Sequence, residues 1–540
     1  MGADRTGSDQ SADYVIIGAG SAGCVLADRL SASGASVILI EAGPKDRSPW
    51  IHIPAGLLKL LRHPTLNWNY KTTPEPGTEG REIEWPRGKT LGGSSSINGM
   101  LWVRGNKADY DRWAQMGATG WSYDDVLPYL KSIETYQHGA DENRGGDGPM
   151  SVQTYDTILP LTHRFVEAAQ ELGHEFSEDL NGPNPAEGVG YTQLSHKGRW
   201  RASTAQTFLK RARSRANLSI ETDAMATRLM FDSKCCTGLT IRQNGTERRI
   251  TANREVIVSG GAINSPHLLQ VSGIGAGEHL GGIGVSLVHD LPGVGQNLCD
   301  HYVCRVAMRV RDTETVNQLA HGWRVAREAA KFALFGTGAL TFGVTTAQIF
   351  ARTRPELAAP DLQILFTPGS HDPQRFGHLE RAPGMNCAVS IANPESRGEI
   401  LARSADPFEY PSIRPNYLST PGDLATMLAG VRLVRDVFAA RAFAPYTVAE
   451  ISPGAEVSDD DALEDFIRRT GTTLYHASGT CRMGTDPMAV VDPRLRVHGI
   501  EGLRVADASV MPAVTTGNTN ATCVMIGEKA SAMILEGARA

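Results

Sequence analysis

Apolar residues follow two different patterns along the chain. Short, nearly unbroken runs occur at Tyr14-Val-Ile-Ile17, Ser36-Val-Ile-Leu-Ile40, Val256-Ile-Val258 and Leu503-Arg-Val505. Each runs toward glycine or an acid: Gly18, Glu41, Ser259-Gly260 and Asp507. Continuous apolar runs of this length predict strands buried on both faces, as in a parallel sheet. Between residues 360 and 420 the runs are broken differently. Leu362-Gln-Ile-Leu-Phe366 and Cys387-Ala-Val-Ser-Ile391 mix apolar and polar positions and are cut off by Pro and Gly. That pattern predicts an antiparallel sheet. From Thr420 to Ala442 the period lengthens, with Leu424, Met427, Leu428, Val431 and Val434 on one face of a core-facing helix.

The first run leads into Gly18-Ala-Gly-Ser-Ala-Gly23 and then a helical stretch, Cys24 to Ala32. Strand, G-x-G-x-x-G, helix, second strand and Glu41 stand in the order that binds a dinucleotide. Gly18 permits the tight turn, Gly20 lets the backbone approach a pyrophosphate, and Gly23 lets the helix pack close. The helix N-terminus supplies free N–H groups and the positive dipole end, while Glu41 can accept from a ribose. These residues leave FAD and NAD open. Gly88-Lys89-Thr90 imitates the end of a P-loop, but Ile83 stands where its first glycine is required.

Composition narrows the class. At 540 residues the chain exceeds what one core usually supports, so two domains, or one domain with a large inserted region, are expected. A net charge of -6 gives no reason to expect nucleic acid and favours a small-molecule partner. No run of about 18 apolar residues marks a membrane span, and Met1 to Asp13 lacks a signal-peptide core. The eight cysteines show neither C-x-x-C pairs nor metal-ligand spacing. A cytoplasmic protein without a metal site is expected, with residues 1–12 a disordered tail. No pattern fixes the oligomeric state, a homodimer being one option.

The segment Gly88-Lys-Thr-Leu-Gly-Gly-Ser-Ser-Ser-Ile-Asn-Gly-Met100 resembles the first signature of the glucose-methanol-choline (GMC) oxidoreductases. Gly261-Ala-Ile-Asn-Ser-Pro-His-Leu-Leu-Gln-Val-Ser-Gly-Ile-Gly275 resembles the second. Similarity continues through Pro292-Gly-Val-Gly-Gln-Asn-Leu298, Tyr475-His-Ala-Ser-Gly-Thr-Cys-Arg-Met-Gly484, Gly502 to Ser509 and Gly517-Asn-Thr-Asn520, thinning between 310 and 395. The resemblance implies FAD and an α/β fold: a Rossmann-like FAD-binding domain with an inserted α+β substrate domain built on an antiparallel sheet. The FAD-binding pieces would be 13–150, 200–310 and 470–540, and the substrate domain 151–199 and 311–469. It implies cofactor contacts from Gly18, Gly20, Ser21, Ala22, Gly23, Glu41 and Ala42, from Gly93, Asn98, Gly99, Met100 and Leu101, and from Ala226, Ser259, Gly260, Asp507, Ala508, Asn518 and Thr519. The position where some members attach flavin to a histidine is Ile97, so FAD is expected to be non-covalent.

The resemblance also points to chemistry. His476 matches the histidine that takes the alcohol proton, and Asn518 the partner that holds the alcohol oxygen; an amide can donate and accept but is no comparable base. The expected reaction is oxidation of a primary alcohol to an aldehyde by hydride transfer to flavin N5, with O2 or a quinone or other carrier as acceptor. Leu474, where some oxidases carry valine, tilts the expectation toward a dehydrogenase. Thr346 stands where choline-oxidising members carry a carboxylate, which counts against choline. Phe342, Phe350, Phe366 and Tyr475 are candidate substrate walls, with core packing as the equal alternative. A hydroxynitrile lyase that holds FAD without using it is the alternative function.

Overall fold

The computed structural model describes residues 10–182, 187–372 and 378–538. The unbroken apolar runs lie side by side. In sheet order the strands are Leu218–Glu221, Val37–Ile40, Gln10–Ile17 and Thr246–Val258, followed by Cys235–Gln243 and Ala224–Asp232. The first four are mutually parallel, and Leu503–Val505 joins Thr246–Val258 in the same sense. The 13-residue strand Thr246–Val258 does two jobs. Its first half closes an antiparallel hairpin with Cys235–Gln243, and its apolar second half enters the parallel layer. Helix Ser21–Ala32 covers this layer against the last helix, Asn520–Gly537.

The N-terminal strand begins at Gln10, so residues 10–12 are not tail. Gln10, Ser11 and Ala12 pair with Ile250, Thr251 and Ala252, and Ala12 is buried. Residues 1–9 of that predicted tail lie outside the described residues.

The second sheet is antiparallel throughout. Its order is Thr447–Ser452, Tyr302–Val310, Gly384–Ile391, Leu362–Thr367, Ala347–Ala351 and Gly188–Tyr191, with Thr472–Thr473 also paired to Tyr302–Val310. Tyr302–Val310 and Thr472–Thr473 therefore belong to this sheet, although the boundaries drawn from motifs at 310 and 470 put them with the cofactor domain. Motif edges do not see hydrogen-bond pairing.

Period two decides what each face does. Ile349, Leu362, Ile364, Phe366, Met385, Cys387 and Val389 join one hydrophobic cluster with helix Pro421–Ala439. That helix starts where Thr420 Oγ1 accepts from Asp423 N and Pro421 occupies its first turn. Met427, Val431 and Val434 are fully buried, with Leu424 and Leu428 packed at the margin. The opposite sheet face carries Gln348, Phe350, Gln363, Leu365 and Ala388, and turns toward the first signature through Met100 and Leu101.

Candidate active site

The glycine motif separates into three roles. Gly18 sits at φ +101°, and a Cβ there would stand 2.3 Å from Ser259 O. At Gly23 a Cβ would meet Gly18 O at 1.9 Å, which is the close approach of helix to strand. At Gly20 a Cβ would meet nothing within 4 Å, because this position faces an open cleft. Gly20 is also the N-cap of helix Ser21–Ala32 and supplies no capping side chain, so the first-turn N–H groups remain available to an anion.

The cleft leaves about 1270 Å³ unfilled out to its mouth. Gly18, Gly20, Ser21, Ala22, Glu41, Ala42, Gly93, Ala226, Ser259, Gly260, Asp507, Ala508 and Thr519 all line it. Of the other predicted cofactor residues, Gly23, Asn98, Gly99, Met100, Leu101 and Asn518 do not form its lining. Glu41 accepts from Ala19 N and Gly43 N at 3.0 and 2.9 Å, and burial pushes its carboxyl up to about 7. Asp507 accepts from Gly261 N at 2.8 Å and from Ser509 N at 2.7 Å, tying the helix Gly261–Val271 to the strand end. An elongated cleft with an acid at a strand end and an uncapped helix N-terminus fits a dinucleotide cofactor.

The first signature folds over this cleft. A Cβ on Gly93 would press on Gly20 Cα at 2.8 Å, so the two glycine segments touch. Asn98 Oδ1 accepts from Met100 N (3.0 Å) and from Arg201 (2.7 Å), and Met100 is held at φ +66°.

His476 and Asn518, 42 residues apart, meet: Asn518 Nδ2 lies 3.0 Å from His476 Nε2. Behind them stands His301, which the sequence reading missed. Its Nδ1 is 2.8 Å from His476 Nδ1, and its Nε2 is 3.0 Å from the Ala392 carbonyl. A carbonyl oxygen can only accept, so His301 Nε2 carries the proton and a neutral His301 presents Nδ1 as acceptor. His476 must then donate through Nδ1, leaving a lone pair on Nε2. Asn518 completes the order: Nδ2 donates to that lone pair, while Oδ1 accepts from Gln363 Nε2 at 3.4 Å. Burial lowers both histidines, His301 to about 4 and His476 well below 6.5, with His301 and Arg87 adding to the effect on His476. Both rings are neutral at pH 7.

The neighbouring Asp300 was also missed. One oxygen accepts from His476 N at 2.6 Å; the other accepts from Thr473 Oγ1 at 2.6 Å and from Tyr417 Oη. Thr473 Oγ1 in turn accepts from Tyr475 N at 2.7 Å. This clamp holds Tyr475 at φ +71°, a left-handed conformation that tyrosine seldom adopts. Burial raises the Asp300 carboxyl above its usual range. The only local signal was an Asp-His pair directly after the motif that ends at Leu298.

The four aromatic candidates diverge. Tyr475 lines the cleft. Phe342 packs with Met100, Leu101 and Tyr155 on the signature side, and Phe350 lies beside Val103 under Gly517. Phe366 points the other way and stacks on Phe165 at 4.6 Å, so it belongs to the core. Thr346 is also buried, its hydroxyl 2.8 Å from that of Thr162.

Family models for the GMC oxidoreductases match residues 12–303 (N-terminal) and 394–527 (C-terminal). The chain is a GMC oxidoreductase. Oxygen-dependent choline dehydrogenase of Brucella melitensis is 43% identical over 530 residues, covering 97% of this chain and 95% of the relative. Formate oxidase of Aspergillus oryzae superposes with a TM-score of 0.92 at 28% identity, covering 99% of this chain and 100% of the other. Pyridoxine 4-oxidase of Mesorbium loti gives 0.88 at 29%, covering 97% and 99%. This GMC oxidoreductase is thus an enzyme acting on CH–OH groups, of an FAD-binding family. None of the three is a lyase, and the lyase alternative is not favoured.

Proposed function

We propose that the enzyme oxidises a neutral primary alcohol to an aldehyde, with the unprotonated Nε2 of His476 accepting the hydroxyl proton. One observation carries this: the directed chain from Gln363 through Asn518 and His476 to His301 and Ala392 leaves Nε2 of His476 unprotonated and facing Asn518. Bound FAD supplies the hydride acceptor. Asn518 holds the alcohol oxygen beside His476, and His301 fixes the tautomer of the base without touching substrate. Asp300 fixes the backbone that presents the ring.

The polar groups next to Asn518 are amides. Gln363 Nε2 also donates to Gln348 Oε1 at 2.9 Å, and both side chains are buried. Among the described residues Gln363 Oε1 is buried without a partner, a ready acceptor for a second polar group of the substrate. Asp300 spends its oxygens on the clamp. A neutral alcohol suits these surroundings better than a quaternary ammonium, although the 43% identical relatives carry choline in their name. We further read FAD as non-covalent, since Ile97 is packed among Ile51, Leu60 and Leu66 and offers no nucleophile. Dehydrogenase chemistry is favoured by Leu474, which packs against the cluster containing Met100 and Leu101.

Anaerobic bleaching of the flavin by a panel of alcohols, choline included, tests the reading. Neutral primary alcohols should reduce the flavin faster than choline; choline exceeding all of them by tenfold in kcat/KM would overturn the substrate class. His476→Ala should retain flavin and lose about 10³- to 10⁴-fold in the reductive rate. His301→Ala should lose about 10- to 100-fold, the size of a lost orienting partner, and raise the acid limb of the pH profile. A wild-type rate in His476→Ala would reject the base.

A further inference from the structure

Helix Trp323–Phe335 is built the wrong way round for a core helix. Only Glu328 and Phe332 are buried, while Trp323, Val325, Leu334 and Phe335 are 69%, 42%, 72% and 75% exposed. At about 100° per residue, an outward arc of about 180° from Val325 to Trp323 and Leu334 is filled in by the four exposed alanines of the same helix. Its neighbouring flank is basic, with Arg327, Lys331 and Arg324 in succession. The inward side is fixed by polar contacts. Glu328 accepts from Ala339 N at 2.9 Å and pairs with Lys331 and Arg327, while Arg199 donates to the Phe332 and Ala333 carbonyls. Trp200, itself 46% exposed, meets Phe332 edge-on at 5.3 Å.

We propose that this helix lies on the surface of an anionic phospholipid bilayer, with its apolar arc among the acyl chains and its cations at the headgroups. Two observations choose that occupant. The helix carries three cations against one acid in a chain of net charge -6, and although Arg327 and Lys331 pair with that acid and Arg327 also with Glu314, the helix keeps a net positive charge beside the apolar face. Trp323 and Trp200 supply the amphipathic rings that favour the boundary between water and lipid. No helix among the described residues is long and apolar enough to cross a membrane, so attachment would be peripheral. Nine residues beyond the helix, Val344 packs on Gly99 of the first signature, so docking would set the substrate side of the enzyme close to the lipid.

Co-sedimentation of the holoenzyme with phosphatidylcholine vesicles, with and without about 30% phosphatidylserine, tests this. Binding to the anionic vesicles should exceed binding to the neutral ones at least tenfold and weaken in high salt. Val325→Glu combined with Leu334→Glu should cut binding at least tenfold, with unchanged kcat on a water-soluble alcohol. Wild-type protein left in the supernatant, or bound equally to neutral vesicles, would overturn the proposal. So would a dimer in size-exclusion chromatography that the double variant converts to monomer, because the face would then belong to a second copy.

Discussion

The parallel layer and the antiparallel roof meet at the same centre but are specified in different ways. In the parallel layer, a single stretch from Tyr14 to Glu41 supplies strand, turn, helix N-terminus and acid, and each lies close to the next in the chain. In the roof, neighbouring residues on a strand serve opposite purposes. Gln363 faces Asn518 whereas Ile364 and Phe366 face helix Pro421–Ala439. A ligand site made from backbone and glycine can be local. One made from alternate side chains of several strands is settled only when the strands pair and register is fixed.

The sharpest way to break that contrast is at Phe366. Phe366→Ala should cost about 3–5 kcal/mol of stability by leaving a cavity against Phe165, read by denaturant unfolding, with the KM of the best alcohol unchanged. A raised KM with unaltered stability would mean that this face is not core. The next effect belongs to the parallel layer. Gly20→Ala places a methyl group in the open cleft without meeting protein, so flavin affinity should fall about 100-fold, or about 2.7 kcal/mol, while far-ultraviolet dichroism is retained. If Gly20→Ala instead unfolds the chain, the position is structural and the contrast fails there.

The smallest effect per residue concerns pH. Burial lowers His267, His301 and His371 to about 4, below the 6.5 of an unfolded histidine. Between those values the unfolded chain binds protons that the folded chain excludes. Each ring's contribution is therefore complete above pH 6.5 and is lost as pH falls from 6.5 toward 4, by about 1.4 kcal/mol per unit, while the buried carboxyls of Glu41 and Asp109, raised to about 7 and 6, act in the opposite sense. Between pH 7 and 5 the Tm of His371→Asn should fall less than that of the wild type; parallel profiles would show this ring to be hydrated or charged in the fold.

How much could be read in advance varies with sequence separation. Gly18, Gly20 and Gly23 were readable because their partners are within a few residues or are generic backbone. Helix Pro421–Ala439 was readable from its period, ending three residues short of the expected Ala442. Asp300 and His301 were not, because each acts on residues about 175 positions away and neither sits in a repeating pattern. Phe350 and Phe366 look alike in sequence, and only the pleat separated them.

By itself the sequence determined the nucleotide-binding half, the family signatures and the pair His476 and Asn518, since local backbone geometry and contiguous motifs carry that information. Tertiary structure alone decided which nitrogen of His476 carries the proton, which aromatic residues face the site and that helix Trp323–Phe335 turns its apolar side outward. Each of these depends on what a side chain meets across the fold: a carbonyl at Ala392, a ring at Phe165, or solvent where a core would have been expected.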